Sequence, residues 1–170
     1  MSNNIYFEKF TSEKDFADYW KLVSNEKIMI MNYGRVFTLK EANYLFNYML
    51  ETNKKNNDFG YFKVFQTKSK EFIGEFGINF TDNSNEVEIE YMLLPEYWSN
   101  GYGNEIVEKL LCKIKKTNNI QQVIAIADPN NVISKKILLN NGFSSLKIYE
   151  IDDGSLAEMF IKYYATWEIC

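Results

Sequence analysis

The segment that most constrains the fold is a loop with two glycines one residue apart, Gly101 and Gly103. A short apolar stretch, residues 91–94, leads into the loop, and an amphipathic helical pattern begins directly after it. A helix N-terminus leaves backbone N–H groups without intrahelical partners and carries about half a positive charge. Because glycine has no Cβ, the backbone of such a loop can approach a ligand closely. The pattern predicts a strand–loop–helix unit that binds a phosphate or pyrophosphate group.

The glycine spacing excludes two common nucleotide-binding loops. No Gly-Lys-Ser/Thr follows, as in a Walker loop, and the third glycine of the dinucleotide fingerprint is missing. The loop instead resembles the Gln/Arg-x-x-Gly-x-Gly/Ala loop of the GNAT superfamily of acyl-CoA-dependent N-acetyltransferases, with Trp98 where Gln or Arg usually stands. Residues 96–105 are similar to the branch of ribosomal-protein N-terminal acetyltransferases and their small-molecule-modifying relatives.

A second motif lies downstream. Residues 128–134, Asp-Pro-Asn-Asn-Val-Ile-Ser, followed by Asn-Gly-Phe at 141–143, are similar to the N-x-x-S/A and G-F motif of the same branch. The resemblance covers essentially the whole chain and implies a single acetyltransferase domain over residues 1–170. It implies an α/β (α+β) fold, the GNAT fold, with a central mixed, mostly antiparallel sheet that is splayed at the acyl-CoA site and flanked by helices.

Hydrophobic periodicity and capping signals predict the individual elements. Capping-box sequences at Ser12 and Thr38 precede two N-terminal helices, with residues 28–37 as an aperiodic apolar connection between them. Residues 53–58 read as a polar stop, and the helix after the glycine loop is expected to end near residue 116. A last helix follows Asn131. Strands are predicted at residues 5–10, 60–66, 71–80, 86–94, 122–127, 147–151 and 156–167.

Composition limits the cellular context. The chain has 170 residues, of which 46% are hydrophobic, so it suits one domain with a proper core. No stretch approaches about 18 consecutive apolar residues, and a charged-then-apolar leader is missing. Cys112 and Cys170 are too few and too far apart for a disulfide framework or a zinc site. The composition predicts a cytoplasmic protein that neither spans a membrane nor binds a metal.

Charge and histidine content narrow the chemistry. The chain contains no histidine, which excludes Ser-His and Cys-His nucleophilic schemes. Its net charge of −4 argues against nucleic acid as a partner, since phosphate binding favours a basic surface. A mildly acidic surface suits a cationic, amine-bearing acceptor, and a homodimer is one arrangement that the sequence allows.

Two glutamates are candidates for a general base. An amine with a pKa of about 10 is mostly protonated at neutral pH and must lose a proton before it attacks a thioester. Glu88 and Glu90 are two residues apart on a predicted strand, so they share one face of the sheet and raise each other's pKa. A solvated polar face is the alternative. The resemblance implies Glu88 as the base, with Glu90 as a rival.

The resemblance also implies how the thioester is handled. Backbone N–H groups around Met92, Leu93 and Leu94 would stabilise the oxyanion and hold the pantetheine arm like an added strand. Many relatives have a tyrosine that acts as the general acid seven residues after the motif asparagine, where this chain has Leu138. Ser134, Tyr102 or a water molecule could protonate the thiolate instead, and these alternatives stay open.

The remaining predicted contacts are with cofactor and acceptor. Asn131 is expected to cap a helix and, by resemblance, to contact acetyl-CoA. Tyr33 and Arg35, in the aperiodic connection, are candidate acceptor-binding residues, although a buried connector would look the same. The full predicted cofactor set is Met92, Leu93, Leu94, Trp98, Ser99, Asn100, Gly101, Tyr102, Gly103, Asn104, Asn131 and Ser134.

Taken together, residues and resemblance predict an acetyl-CoA-dependent N-acetyltransferase. The acetyl group would pass to a primary amine, of a small molecule or a protein N-terminus, by direct attack in a ternary complex. Bringing amine and thioester together can supply effective molarities of about 10⁵ M or more. The alternative is a non-catalytic acyl-CoA-binding sensor or interaction module with the same fold, which the departure at Leu138 keeps open.

Overall fold

The structure, a computed structural model, describes residues 4–117 and 119–164. In chain order, those residues form seven strands and five α-helices, with 3-10 turns at Glu13–Asp15 and Pro95–Tyr97. The elements are β1 Ile5–Lys9, α1 Phe16–Val23, α2 Glu26–Tyr33, α3 Leu39–Lys55, β2 Gly60–Gln66, β3 Phe72–Phe80, β4 Glu86–Leu93, α4 Tyr102–Lys115, β5 Gln122–Ala127, α5 Val132–Asn140, β6 Ser144–Glu150 and β7 Leu156–Tyr163.

The strands form one sheet in the order β1-β2-β3-β4-β5-β7-β6. β1 with β2, β5 with β7 and β6 with β7 pair antiparallel, whereas β4 and β5 pair in parallel. A parallel pair needs a crossover connection, which α4 supplies. The mixed, mostly antiparallel sheet with flanking helices is therefore confirmed.

The parallel ladder between β4 and β5 is short. It runs from the pair Glu86–Gln122 to the pair Ile89–Ala125. β4 then continues to Leu93 and β5 to Ala127. The residues of β4 beyond position 89 thus extend past the end of the described ladder.

The chain divides into two compact units, one formed by residues 1–77 and 91–102 and the other by residues 78–90 and 103–170. The first unit contains β1, β2, α1–α3 and most of the glycine loop. Its core joins helix residues to the ends of two strands; the buried members are Phe10, Tyr19, Leu22, Val23, Ile28, Met29, Ala42, Phe46, Met49, Leu50, Phe72, Met92 and Leu94. The single domain over residues 1–170 stays a prediction.

The capping box at Thr38 is confirmed. The Glu41 N–H donates to the Thr38 hydroxyl oxygen (3.2 Å), and the Glu41 carboxylate accepts from the Thr38 N–H (2.8 Å). Two backbone N–H groups at the start of α3 are thereby satisfied by local side chains. The Ser12 sequence likewise begins a helical segment, first as the 3-10 turn Glu13–Asp15 and then as α1.

The prediction of an irregular connection over residues 28–37 is wrong for its first part, which lies in α2. The Asn25 side chain accepts from the Ile28 N–H (3.3 Å), and Gly34 ends the helix with a left-handed φ of 71°. Consecutive apolar residues hid the helical period, since only Ile28 and Met29 of this helix are buried. The capping asparagine and the terminal glycine were the available signals.

The predicted polar stop at residues 53–58 begins too early, because α3 continues to Lys55. Asn53 does not break the helix. Its side-chain amide donates to the carbonyls of Phe10 and Tyr61, both at 2.8 Å, and its oxygen accepts from the Tyr61 N–H (2.7 Å). The polar side chain therefore joins α3 to the backbone of the sheet.

In the second unit, side-chain contacts fix the start and the middle of α5. The Asn131 side chain accepts from the Ser134 N–H (3.1 Å), which confirms it as the N-cap. Lys135 lies 2.6 Å from the buried carboxylate of Glu158 on β7, whose other oxygen accepts from the Ser145 hydroxyl (2.7 Å). The interaction joins the helix to the sheet.

The final hairpin is confirmed as β6 and β7, with a register shift between Ser145 and Lys147. β6 begins at Ser144, three residues earlier than predicted, and the predicted end of the last strand at residue 167 lies outside the described residues. The helices of the described part of the chain include none with the length and apolar character needed to cross a membrane.

Candidate active site

β4 presents carboxylates on one of its faces. Because side chains alternate along a strand, Glu86, Glu88 and Glu90 share a face, while Val87 and Ile89 are buried on the other. The Glu86 carboxylate accepts from the Thr81 hydroxyl (2.8 Å) and from the side-chain amide of Gln122. Glu86 is thus held by neighbouring side chains, which leaves Glu88 and Glu90 as the acid–base candidates predicted from the sequence.

The local environment raises the pKa of both candidates. Burial, and then the neighbouring Glu86 carboxylate, raise the pKa of Glu88. Burial, and then the Glu88 charge, raise the pKa of Glu90 to about 7. Glu90 is nevertheless exposed to solvent. A carboxyl group with a pKa of about 7 can exchange protons near neutral pH.

The end of β4 presents its backbone in an alternating pattern. The Leu94 N–H donates to the Ile73 carbonyl on β3 at 2.9 Å. Because successive residues of a strand face opposite neighbours, the N–H and C=O of Leu93 point away from β3. Of the three N–H groups predicted as oxyanion donors, that of Leu94 is therefore used in the sheet, and that of Leu93 has the required direction.

Gly74 on β3 allows this arrangement, and sequence reasoning missed it. A Cβ at position 74 would lie 2.2 Å from the Met92 carbonyl oxygen and 3.1 Å from the Leu93 Cα. No side chain fits there, so β3 can approach the peptide between Met92 and Leu93 closely. A glycine inside a predicted strand was the available signal, since such glycines mark close backbone contacts.

Trp98, at the start of the glycine loop, contacts the same part of β4. Its indole Nε1–H donates to the Leu93 carbonyl at 2.8 Å. The ring is half-buried and packs against the core cluster of the first unit. The Leu93–Leu94 peptide is therefore hydrogen-bonded on both sides, by Trp98 at its C=O and by Ile73 at its N–H.

The glycine loop has the predicted backbone character at Gly101 only. Gly103, which the sequence analysis also placed in the loop, is a buried residue of the first turn of α4. Gly101 has a φ of 83°, and a Cβ built on it would meet nothing within 4 Å. Ser99 also adopts a positive φ, 61°, which is uncommon for a residue with a side chain. Residues 99–101 are exposed, and α4 begins directly after them at Tyr102. Small residues thus surround the start of a 14-residue helix.

The turn between β2 and β3 supports the loop. The Gln66 side-chain amide donates to the Tyr102 hydroxyl, and the Tyr97 hydroxyl donates to the Glu71 carboxylate at 3.2 Å. The rings of Tyr97 and Tyr102 are 5.9 Å apart, edge to face. The sequence analysis placed Gln66 and Glu71 only at the ends of two predicted strands, because their partners are 36 and 26 positions away in the chain.

The second unit holds the other predicted site residues. Asn131 is buried, and its side-chain oxygen accepts from the Ser134 N–H. Asn104 accepts from the Asn141 side chain (2.9 Å) and donates to Glu108 (2.7 Å), an interaction that joins α4 to the end of α5. Leu138, at the position of the common tyrosine, is only 1% exposed. It is a core residue, so a tyrosine there would need space that the packing does not offer.

The two candidate acceptor residues lie in the first unit, around the connection between α2 and α3. Arg35 binds Glu41 through both guanidinium nitrogens, at 2.7 and 3.1 Å, and lies 5.3 Å from the centre of the Phe37 ring. Tyr33 is 47% exposed and its ring is 5.1 Å from that of Phe37. Tyr33 is thus accessible, whereas Arg35 is engaged with the α3 N-terminus.

Among the side chains that the structure describes, no group of three or more His, Cys, Asp or Glu residues could hold a metal ion. The acidic face of β4 is a row of single carboxylates, one at every second residue, which places them about 7 Å apart along the strand.

Comparison with known proteins identifies relatives. Residues 4–144 match the family described as acetyltransferase (GNAT) domain. The chain is 28% identical over 91 residues to the uncharacterized N-acetyltransferase YoaA of Bacillus subtilis (strain 168), which is 51% of either chain. It is 30% identical over 104 residues to the uncharacterized N-acetyltransferase p20 of Bacillus licheniformis, with 59% of this chain and 58% of that protein covered. The chain therefore spans about half the length of the curated relatives it matches.

Solved structures share the fold over nearly the full length. Ribosomal-protein-S5-alanine acetyltransferase from Vibrio fischeri superimposes with a TM-score of 0.78 at 17% identity, covering 99% of this chain and 98% of that one. Spermidine N-acetyltransferase from Vibrio cholerae, solved with CoA and spermine, gives a TM-score of 0.76 at 14% identity, covering 95% and 96%. At these identities the likeness shows the fold alone.

Proposed function

The chain belongs to the GNAT-domain acetyltransferase family, and we propose that it transfers an acetyl group from acetyl-CoA to a primary amine. The proposal rests mainly on two groups of β4. Beyond its ladder with β5, this strand has a carboxyl group with a pKa of about 7 at Glu90, and a backbone N–H pointing away from β3 at Leu93. Acetyl-CoA supplies the acetyl group as a thioester. The attack on it is direct, within a ternary complex.

Glu90 is our candidate for the general base. At about 3.3 Å per residue, Glu90 is about 10 Å along the strand from Leu93 and Glu88 about 17 Å, so Glu90 is the closer to the proposed carbonyl site. Its pKa near neutrality also suits proton uptake at physiological pH. Glu88, which the family resemblance implies, is the alternative, and its charge helps to raise the pKa of Glu90.

The Leu93 N–H is our candidate donor to the thioester carbonyl oxygen. A donor that is fixed before the reaction stabilises developing charge without reorganisation, and removal of one such donor typically lowers kcat about 10²- to 10³-fold. The Ile73 carbonyl binds the Leu94 N–H, and Gly74 leaves room for β3 to lie close to the peptide between Met92 and Leu93. The strand can therefore present this N–H in one direction.

The glycine loop is our candidate for the pyrophosphate site. The open space at Gly101 and the start of α4 suit an anion that approaches the backbone. Further contacts are proposed for Met92, Leu94, Trp98, Ser99, Asn100, Tyr102, Gly103, Asn104, Asn131 and Ser134. Lys135 is not included, because it is paired with Glu158.

Tyr102, Ser134 or water remains to protonate the departing thiolate. The Tyr102 hydroxyl accepts a hydrogen bond from Gln66 and so retains its own proton to donate. Tyr102 is therefore our candidate, with Ser134 and water as the alternatives.

The acceptor is proposed to be a cationic amine, and Tyr33 and Arg35 are proposed as residues that contact it. Structural neighbours bear names that refer to a ribosomal protein and to spermidine, so both protein and small-molecule amines are candidates. A cytoplasmic location and a homodimer are part of the same proposal and rest on the sequence.

The deciding experiment measures release of free CoA from acetyl-CoA with a panel of N-terminal peptides, polyamines, aminoglycosides and amino acids. We expect steady-state release above the non-enzymatic rate with at least one amine. Tight binding of acetyl-CoA without release across the panel would instead identify a sensor and overturn the proposal.

A further inference from the structure

We propose that Trp98 is a positioning residue that fixes the backbone of Leu93 for acetyl transfer. This inference rests on the proposed function, because it gives the Leu93 N–H a role in the reaction. It concerns a contact within the first unit: the hydrogen bond of 2.8 Å from the Trp98 indole to the Leu93 carbonyl.

The hydrogen bond acts on a peptide that is already held from its other side. The Leu94 N–H is bonded to Ile73, while the Leu93 C=O accepts from Trp98. Because peptide units are planar, the Leu93 N–H can rotate relative to the Leu93–Leu94 peptide only through φ and ψ of Leu93. Holding the carbonyl therefore limits the directions that the Leu93 N–H can take.

Trp98 is itself well supported. Its backbone N–H donates to the Pro95 carbonyl (3.1 Å), which closes the 3-10 turn between the strand and the loop. Its ring packs against the same core cluster as Trp20 of α1. A single side chain thus connects the first residue of the proposed pyrophosphate loop to the proposed carbonyl donor.

Two substitutions separate the hydrogen bond from the packing. Trp98→Phe keeps an aromatic ring in the core but removes the N–H donor, whereas Trp98→Gln loses the ring but retains a side-chain amide that can donate. If the donor matters, the phenylalanine variant loses kcat and the glutamine variant regains part of it despite a lower Tm. If only packing matters, the order is reversed.

The experiment measures kcat at saturating substrates, Kd for CoA and Tm for wild type and both variants. We expect Trp98→Phe to lower kcat about tenfold with nearly unchanged Kd, less than the 10²- to 10³-fold loss on removing an oxyanion donor outright. Trp20→Phe is the matched control, because it removes an indole from the same core cluster, and it should turn over like wild type.

The other outcomes overturn the inference. Wild-type kcat in Trp98→Phe would exclude the positioning role alone, whereas no turnover by the wild type would exclude the proposed function with it. A kcat loss in the Gln variant that equals or exceeds the loss in the Phe variant would assign Trp98 to packing. If a variant does not fold, hydrogen exchange of the Trp98 indole N–H is measured in the wild type, with the signal assigned by means of Trp20→Phe and Trp167→Phe. We expect slow exchange with and without CoA. Fast exchange would exclude the contact.

Discussion

The segments that lead into α3 and α4 both combine a glycine with a glutamate, but the pKa of the glutamate is shifted in opposite directions. Each contains a glycine with positive φ, Gly34 at 71° and Gly101 at 83°, and each is associated with a glutamate of displaced pKa. Before α3, Glu41 is bound by Arg35 and Thr38, and its pKa is lowered to about 2. Before α4, Glu90 is desolvated beside Glu88, and its pKa is raised to about 7.

The contrast shows where the chain satisfies its polar groups internally. At the α3 N-terminus, side chains of the same segment pair with the carboxylate and the backbone N–H groups. The segment before α4 has exposed small residues at the helix start, and the carboxyl group on the strand before it gains and loses its proton near neutral pH. The first arrangement stabilises a helix; the second suits binding and proton transfer.

The largest expected effect tests the carboxylates of β4. Glu90→Gln should lower kcat about 10²-fold, the usual scale for loss of a general base, with CoA affinity nearly intact. Glu88→Gln should lower kcat less, by shifting the pKa of Glu90. Glu51→Gln, a glutamate paired with Lys54 on α3, is the matched control and should leave kcat unchanged.

The pH profile identifies the base. In wild type, kcat should rise through a pH of about 7 as Glu90 loses its proton, and Glu90→Gln should abolish that rise. A larger kcat loss in Glu88→Gln, with the pH-dependent rise retained in Glu90→Gln, would make Glu88 the base.

A smaller effect compares the two glycines. Gly101→Val should weaken CoA binding about tenfold or more, because a side chain disfavours the backbone conformation of the loop and limits close approach. Gly34→Val introduces similar strain, about 1–3 kcal/mol, and a Cβ at either glycine meets nothing within 4 Å. Calorimetric titration of both variants with CoA measures the difference. Equal CoA affinities in the two folded variants would show that the pyrophosphate does not bind at this loop.

The smallest effect concerns stability, and its sign differs between the two regions. Because the folded-state pKa of Glu90 is raised, the contribution of Glu90 to the free energy of unfolding is full below a pH of about 4.5 and is lost as the pH rises through about 7. Glu90→Gln should therefore raise Tm at pH 8 and change it little at pH 4. The pKa of Glu41 is lowered, so its contribution is present above about 4.5 and is lost as the pH falls through about 2. Glu41→Gln should therefore lower Tm at pH 7. Melting curves across this range check both, and equal signs at neutral pH would contradict the comparison.

Local signals explain how much of the fold could be predicted. Thr38 and Asn131 cap helices through residues three positions away, so their roles follow from short sequence patterns. The strands at residues 60–66 and 122–127 were predicted with the limits that the structure has. The helix α2 was missed because a run of apolar residues has no visible period, although Asn25 and Gly34 marked its ends.

The site was predictable only in part, for a related reason. The shared face of Glu88 and Glu90 follows from strand alternation alone. The contacts of Gln66 with Tyr102 and of Gly74 with Met92 join distant parts of the chain, and the burial of Leu138 depends on packing. No local pattern could show which N–H of the predicted set was already bonded to Ile73.

The short parallel ladder between β4 and β5 has a consequence for the order of folding. Hairpins such as β6–β7 close across a few residues, whereas the pairs from Glu86–Gln122 to Ile89–Ala125 close only after the whole of α4 has been placed. Closing a long loop costs more chain entropy before any contact forms, and the short β4–β5 ladder offers few backbone pairs to offset that cost. The parallel pairing of the strand that carries the proposed chemistry is therefore expected to form after the local hairpins.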